Sequence, residues 1–473
     1  MTDSVFKTRT LKDIYEEIQK VYLGDNRPWI LGFSGGKDST CMVQLVWNAL
    51  VQLPKEKLQK KLFVISSDTL VESPKIVETI ITTLKKMEKA AKEQGLPIST
   101  NLVRPKLEDT FWVCLLGKGY PAPSTTFRWC TDRLKINNAD RFINEKVSEY
   151  GEAIVVLGTR KDESGTRAQL MNLYAIEGSV LTRHSKFAQT YVYPPLRDFI
   201  TEDVWNYLLQ TANPWGSNNR DLLSMYQNAQ AAECPLVVDT STPSCGNSRF
   251  GCWVCTVVEK DNSMANLIDN GEEWMEPLLE LREELKMTQD PEKKLEYREF
   301  KRRDGKVIFF SDGTEKATPG PYKLEFCKQF LEKLLAAQKK VQKNGPDPNM
   351  KLISEDEIHE IQRIWRMERG DWKNSAYQIY EKAIGVRIAP RQEDLGTFGE
   401  VEQEILEDVC KNNGVPSLLV SKLLHAEFEH QGMTKHSKVY PKIGKILSEE
   451  WRENLDEIIT DLKEQKKEKK ELE

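Results

Sequence analysis

Two clusters in this 473-residue chain hold the residue types that chemistry needs. The first is Ser34-Gly35-Gly36-Lys37-Asp38-Ser39. Adjacent glycines let a backbone approach an oxyanion with no Cβ in the way. Unpaired N–H groups at the start of a following helix favour negative charge there. Ser34 and Ser39 add hydroxyl donors, Lys37 adds a point charge, and Asp38 is placed to hold Mg²⁺ beside phosphates. The spacing is not the GxxxxGK(S/T) of kinase-type loops, so γ-phosphoryl transfer is not the expected reaction.

The second cluster is Cys234, Cys245, Cys252 and Cys255, separated by ten, six and two residues. Gly246 and Gly251 leave room for a bulky inorganic group, and Cys252-x-x-Cys255 has bidentate spacing. Four thiolates permit either Zn²⁺ or a [4Fe–4S] cluster, and spacing does not decide between them. Five histidines show no HxxH or HExxH pattern, which argues against a histidine-based metal centre. Cys130 lies among Arg128, Arg133 and Lys135, and such neighbours lower a thiol pKa. Cys41, Cys114, Cys327 and Cys410 read as packing residues.

The elements that must position these groups follow from periodicity. Apolar runs at 29–33, 62–66 and 153–157, with 98–103, read as strands, and helical patterns at 40–53 and 73–93 separate them. Strands alternating with helices predict an α/β, doubly wound, mostly parallel sheet with ligands at the carboxyl ends of its strands. The division expected is a nucleotide-binding domain over 1–230, a cysteine-rich segment over 231–260, a mainly helical domain over 261–450 and a charged helical tail over 451–473. A short hairpin is expected near 305–318, and helices near 263–288, 322–342, 355–368, 397–412 and 415–430. Ser354 with Glu357 suits a capping box, and Thr201 reads as a helix N-cap.

Composition bounds the answer. Hydrophobic residues at 39% and charged residues at 30% are too apolar for global disorder and too polar for a membrane bundle. No apolar run approaches the ~20 residues that a bilayer span needs, so no membrane partner is expected. The opening residues lack an apolar secretion segment, and nine sparse cysteines do not resemble a disulfide framework, so the expected compartment is the cytoplasm. The formal charge of −5 hides a net +4 in residues 1–230 and −9 beyond them. An anionic substrate is better hosted by the first half.

The six residues 34–39 resemble the PP-loop of ATP pyrophosphatases, a group that includes thiolases and phosphoadenylyl-sulfate (PAPS) reductases. Ser67-Asp68-Thr69 with Glu72 is similar to the acidic turn those reductases place near the nucleoside. Gly158-Thr159-Arg160-Lys161-Asp162-Glu163-Ser164 is similar to another of their segments, in which Arg160 and Lys161 would meet a phosphate and Glu163 would orient Arg160. With Phe127–Lys135, Pro214–Leu222 and the cysteine spacing, residues 10–260 resemble the DndC-type proteins of bacterial DNA phosphorothioation systems.

That resemblance implies a [4Fe–4S] cluster on Cys234, Cys245, Cys252 and Cys255, and ATP pyrophosphatase activity. It implies nucleotide contacts from Ser34, Gly35, Gly36, Lys37, Asp38, Ser39, Asp68, Gly158 and Arg160, with Lys37, Asp38, Cys130, Arg160 and Lys161 catalytic. The implied partners are DNA, a cysteine desulfurase and DndD- and DndE-type proteins. Whether sulfur travels on Cys130 or on the cluster stays open. Rival readings of the same fold are a tRNA thiolase or an adenylyl-sulfate reductase. From another class comes a non-catalytic ATP- and cluster-binding regulatory subunit. For DNA contact, the candidates are Arg128, Arg133, Lys135, Arg160, Lys161, Arg167, Arg183, Lys186 and Arg197, and the later run Arg298, Lys301, Arg302, Arg303 and Lys306.

Overall fold

The structure, a computed structural model, describes residues 3–230, 251–309, 317–391, 398–428 and 439–461. It divides into two units: Met1–Lys106 with Arg128–Glu273, and Leu107–Phe127 with Trp274–Glu473. Residues 107–127, which the sequence reading groups with the first 230, thus belong to the second unit.

The first unit is built on a six-stranded sheet. In chain order it comprises α1 (Leu11–Leu23), β1 (Trp29–Gly32), α2 (Lys37–Val51), β2 (Leu62–Ser67), α3 (Pro74–Gln94), β3 (Ile98–Val103), α4 (Trp129–Thr131) and α5 (Asn137–Tyr150). Then come β4 (Ala153–Val156), α6 (Gly165–Leu173), β5 (Thr182–Arg183), β6 (Thr190–Tyr193), α7 (Thr201–Gln210), α8 (Asn219–Gln230) and α9 (Asn262–Asp269). The strand order is β3-β2-β1-β4-β6-β5, parallel throughout except for β5 against β6. Leu31 lies opposite Val64 on one side and Val156 on the other. Helices cover both faces of such a sheet, which is why its central strands are continuous apolar runs rather than alternating ones. Strand order reverses between β1 and β4, so a crevice opens past their carboxyl ends. The doubly wound expectation holds, and β5 and β6 add two strands that sequence periodicity did not signal.

Packing fixes where the loops emerge. Trp29, Trp47 and Tyr193 are buried in one apolar cluster with most of α2. The indole N–H of Trp47 donates to Gln94 Oε1 at 2.7 Å, so this bulky ring is buried without a stranded donor. α1 starts at a capping box in which Thr10 and Asp13 each accept the other's backbone N–H. At α7 the N-cap is Ile200, one residue before the expected Thr201, because the Asp203 carboxylate accepts the Ile200 N–H at 3.1 Å. Thr201 is released for another task.

The second unit is helical: α10 (Glu276–Met287), α11 (Lys294–Tyr297), α12 (Leu324–Asn344), α13 (Glu355–Arg369), α14 (Ser375–Ile384), α15 (Glu400–Asn413), α16 (Ser417–Phe428) and α17 (Val439–Leu447). Ser354 and Glu357 form the expected capping box of α13. The buried turn Val113–Gly117 belongs to this core, since Trp365 Nε1 donates to Leu116 O and Trp112 Nε1 to Leu352 O, both at 2.8 Å. A bridge pairs Phe309 with Ala317 where a hairpin is expected, and the turn between them lies outside the described residues. Among the described residues no helix is long and apolar enough to cross a membrane.

Candidate functional site

Residues 34–36 leave β1 and α2 begins at Lys37, so the loop sits at the strand-order reversal. Gly35 has φ +74°, a left-handed conformation that a side chain would strain. Gly36 is the N-cap of α2 with no side-chain cap, which leaves the first-turn N–H groups for other acceptors. The Ser34 N–H donates to Ser39 Oγ at 3.2 Å, and Ser39 Oγ donates to Gly36 O at 3.0 Å. These bonds tie the start of the loop to the first turn of α2. The Lys37 N–H donates to the Tyr226 hydroxyl of α8 at 3.2 Å.

Asp38 joins the loop to the segment after β4. Its Oδ2 pairs with Lys37 Nζ and its Oδ1 with Arg160 Nε, each at 2.8 Å. Each oxygen retains a second lone pair, so the carboxylate keeps the capacity to hold Mg²⁺ beside a phosphate. Arg160 is only 2% exposed. Its other nitrogens reach Thr201 Oγ1 at 3.3 Å and Phe199 O at 3.4 Å, which accounts for the released threonine hydroxyl. Glu163 does not orient the guanidinium: it accepts the Arg160 backbone N–H and pairs with Arg167. Arg160 therefore positions Asp38. Gly158 is obligatory for this approach, because a Cβ there would come within 2.7 Å of Asp38 O. Lys161 turns aside to pair with Asp198 at 2.9 Å.

Asp68 sits past β2, buried, accepting Arg104 Nε and its own turn's Leu70 N–H at 2.9 Å. With Ser67, Glu72, Ile80 and Leu102 it lines a shallow depression, and Ile80 also packs against Gly35. The expected nucleoside residue and the loop thus share one neighbour.

The cysteine turn hangs from the same stretch past β2. Ser73 N donates to Gly251 O, Trp253 N donates to Val71 O, and Glu72 bridges Cys252. Cys255 N donates to Cys252 O at 3.0 Å, which closes the Cys-x-x-Cys turn, and Thr69 Oγ1 lies 3.3 Å from Cys252 Sγ. Cys234 and Cys245 lie outside the described residues. Among the described residues no group of three or more His, Cys, Asp and Glu is gathered to hold a metal ion. Two thiols closed into one turn and faced by a lysine do suit a thiolate-ligated group.

Burial pushes the Cys252 thiol up to about 12, against the opposing charge of Lys135. Burial also raises Cys130, and the neighbouring Cys255 adds to the rise. The lowered pKa expected from basic sequence neighbours is therefore corrected: desolvation outweighs the help from Lys135. Burial disfavours the Lys135 ammonium, yet Cys252 and Glu72 raise its pKa on balance, and it pairs with Glu72 at 3.2 Å. Glu72 is itself raised by burial, partly offset by Lys135. Cys41, Cys114, Cys327 and Cys410 are buried, as packing residues should be.

Several of the expected DNA-contacting cations have acidic partners. Lys186 pairs with Asp140 and Arg197 with Asp198. In the second unit, Arg298 donates to Pro319 and Gly320 carbonyls, and Arg303 pairs with Glu368. Sequence reasoning missed Tyr226; it placed Thr69 in the acidic turn and Thr201 at a helix start without foreseeing their contacts to Cys252 and Arg160. Each contact becomes visible only when distant segments meet.

With this geometry in place, the class of the first unit can be stated: residues 28–258 match the phosphoadenosine phosphosulfate reductase domain, and the chain carries a PAPS reductase-like domain of the PP-loop superfamily. Residues 402–448 match a second family, the small protein found in certain Dnd DNA modification systems. The uncharacterized protein MJ0066 of Methanocaldococcus jannaschii is 26% identical over 249 residues, which is 53% of this chain and 39% of that protein. Among solved structures, the PAPS reductase of Candida auris in its phosphate complex aligns at TM-score 0.30 and 14% identity, over 47% of this chain and 88% of that one. The U34-tRNA thiolase NcsA of Methanococcus maripaludis, with its [4Fe–4S] cluster, aligns at TM-score 0.26 and 16% identity, over 47% and 74%.

Proposed function

We propose that this chain is the ATP-using sulfur-transfer enzyme of a DNA phosphorothioation system. The observation that carries the reading is the pairing, in one chain, of the SGGKDS loop within a PAPS reductase-like domain and a Dnd-system domain near the other end. The β- and γ-phosphates of ATP would lie on residues 34–39, with the nucleoside toward Asp68. A non-bridging oxygen of a DNA phosphodiester attacks the α-phosphate, forming a P–O bond as pyrophosphate leaves. Lys37, with Asp38 held in place by Arg160, offsets the charge that develops. The terminal sulfur of a persulfide supplied by a cysteine desulfurase then attacks the activated DNA phosphorus, and AMP departs with the displaced oxygen. A second thiolate attacks the inner persulfide sulfur, breaking the S–S bond to leave the phosphorothioate and a disulfide, which an external thiol reduces.

A [4Fe–4S] cluster would be held by Cys252 and Cys255, with Cys234 and Cys245, and when bound it supplies a site for handling sulfur. Lys135 would offset the thiolate charge beside it. The partners of the reaction would be DNA, the desulfurase and DndD- and DndE-type proteins, and the compartment the cytoplasm.

The test is mass spectrometry of nuclease-digested DNA from cells with and without this chain, in a host carrying the neighbouring genes. Phosphorothioate dinucleotides should appear only with the chain present. Lys37→Ala should reduce them by roughly 10²- to 10³-fold, the scale of losing one charge-stabilising group. Unchanged DNA with altered tRNA thiolation, or with sulfite release, would transfer the chemistry to the rival substrates. Sulfur incorporation that survives Lys37→Ala and Asp38→Ala would leave the loop without a catalytic role.

A further inference from the structure

The Lys37 backbone N–H is the first donor of α2, where the helix dipole is most positive, and its acceptor is a tyrosine from 189 residues away. The Tyr226 oxygen lies 3.2 Å from the place a Cβ on Gly36 would occupy. The Lys37 ammonium lies 5.6 Å from the centre of the same ring. One side chain therefore meets the two groups of the loop best suited to a phosphate oxygen: a helix-start amide and a lysine.

The way α8 presents this ring matters as much as the contact. Asn219, at the start of the helix, is buried and exchanges amide hydrogen bonds with Gln44 of α2 at 2.8 and 3.2 Å. It also donates to Leu208 O at 2.7 Å. Tyr226 lies about two turns further on, roughly 10 Å along the axis. Its ring stands nearly perpendicular to that of Trp205, with centroids 5.3 Å apart. The start of the helix is anchored by buried amides, and the tyrosine that reaches the loop meets the Lys37 N–H through a neutral hydrogen bond. A neutral hydroxyl is a weak acceptor beside a phosphate, whose charge-assisted bonds are about twice as strong.

We propose that Tyr226 is a displaceable plug of the 34–39 loop: its hydroxyl occupies the Lys37 N–H, and a di- or triphosphate binds by exchanging with it. The inference rests on the reading of that loop as an ATP phosphate site. It adds that a donor of the loop is already taken by Tyr226, so nucleotide affinity is set partly by competition within the chain. A tyrosine that instead donated its proton to the phosphate would have the opposite effect on affinity, and this opposition makes the test decisive.

The experiment is calorimetric titration of the full chain with inorganic pyrophosphate and with ATP–Mg²⁺, comparing wild type, Tyr226→Phe and Lys37→Ala. Removing the competing hydroxyl should tighten both ligands by on the order of three- to tenfold, the net worth of one neutral hydrogen bond. A second reading needs no variant at the tyrosine. Pyrophosphate should change Trp205 emission, measured as the difference between wild type and Trp205→Phe, because its ring neighbour departs. Weaker or unchanged binding by Tyr226→Phe overturns the plug, as does a silent Trp205. If wild type binds, Lys37→Ala abolishes binding and Tyr226→Phe is no tighter, the plug alone is wrong. If no variant binds either ligand at millimolar concentration, the phosphate reading fails with it.

Discussion

The phosphate loop and the cysteine turn both lie past carboxyl ends of sheet strands, yet they are held in different ways. The loop is braced from inside: Asp38 is locked by a buried guanidinium, and Gly158 brings backbone against backbone. The cysteine turn is hung on its neighbour by the two backbone hydrogen bonds of the Glu72–Cys252 bridge and a threonine-to-sulfur contact, with Trp253 and Val254 buried. Bracing suits a loop that must meet a charged ligand with its donors already aimed. Hanging suits a turn whose final shape is set when its remaining ligands and inorganic group arrive. The braced site should lose stability when its ion pair is touched, and the turn should lose little when its threonine-to-sulfur contact alone is removed.

The sharpest way to break this contrast is Arg160→Met. It leaves the Asp38 carboxylate to Lys37 alone and deletes contacts to Thr201 and Phe199. Removing one member of a buried ion pair costs about 3–5 kcal/mol, and Asp38 is partly open, so the lower end is expected in chemical denaturation. Gly158→Ala comes next. The added methyl meets the Asp38 backbone rather than a flexible side chain, so the strands or α2 must shift, at about 1–3 kcal/mol. On the other side of the comparison, Thr69→Val removes the hydroxyl at Cys252 and should cost no more than about 1 kcal/mol. If Thr69→Val matched Arg160→Met, the two sites would not differ in the way described.

The same contrast decides what could be read in advance. The loop is contiguous, so strand, glycines, lysine and helix start stand in sequence order, and the α/β class follows from four apolar runs. The bracing was not legible. Arg160 reads as a phosphate ligand because its segment is similar to one in PAPS reductases, and only the fold shows Asp38 and Thr201 claiming it. The cysteine site joins residues near 70, 130 and 252, so its electrostatics depend on burial that no local pattern reports. That is why basic neighbours pointed Cys130 in the wrong direction. Tyr226 had no signal at all, since a lone tyrosine on a helix is ordinarily a packing residue.

The smallest expected effect lies at the rim of the braced site. Burial alone would raise the Asp198 carboxyl, but Lys161 and Arg197 outweigh it and hold its pKa below the ordinary 3.8. A carboxylate that is more acidic in the folded state binds fewer protons there than when unfolded, so its contribution is present above 3.8 and lost as pH falls through the lower folded value. Asp198→Asn should therefore flatten the stability profile below about pH 4 and leave it parallel to wild type at neutrality. Because the pair is partly open to water, the loss should stay under about 1 kcal/mol in urea titrations across that range. The substitution also releases Lys161 from its partner. If pyrophosphate then bound more tightly, Lys161 would regain the phosphate-facing role that its sequence position suggested, and the bracing would extend to the rim. If affinity stayed constant while the acid slope flattened, the charge at the phosphate would belong to Lys37 alone among these two lysines.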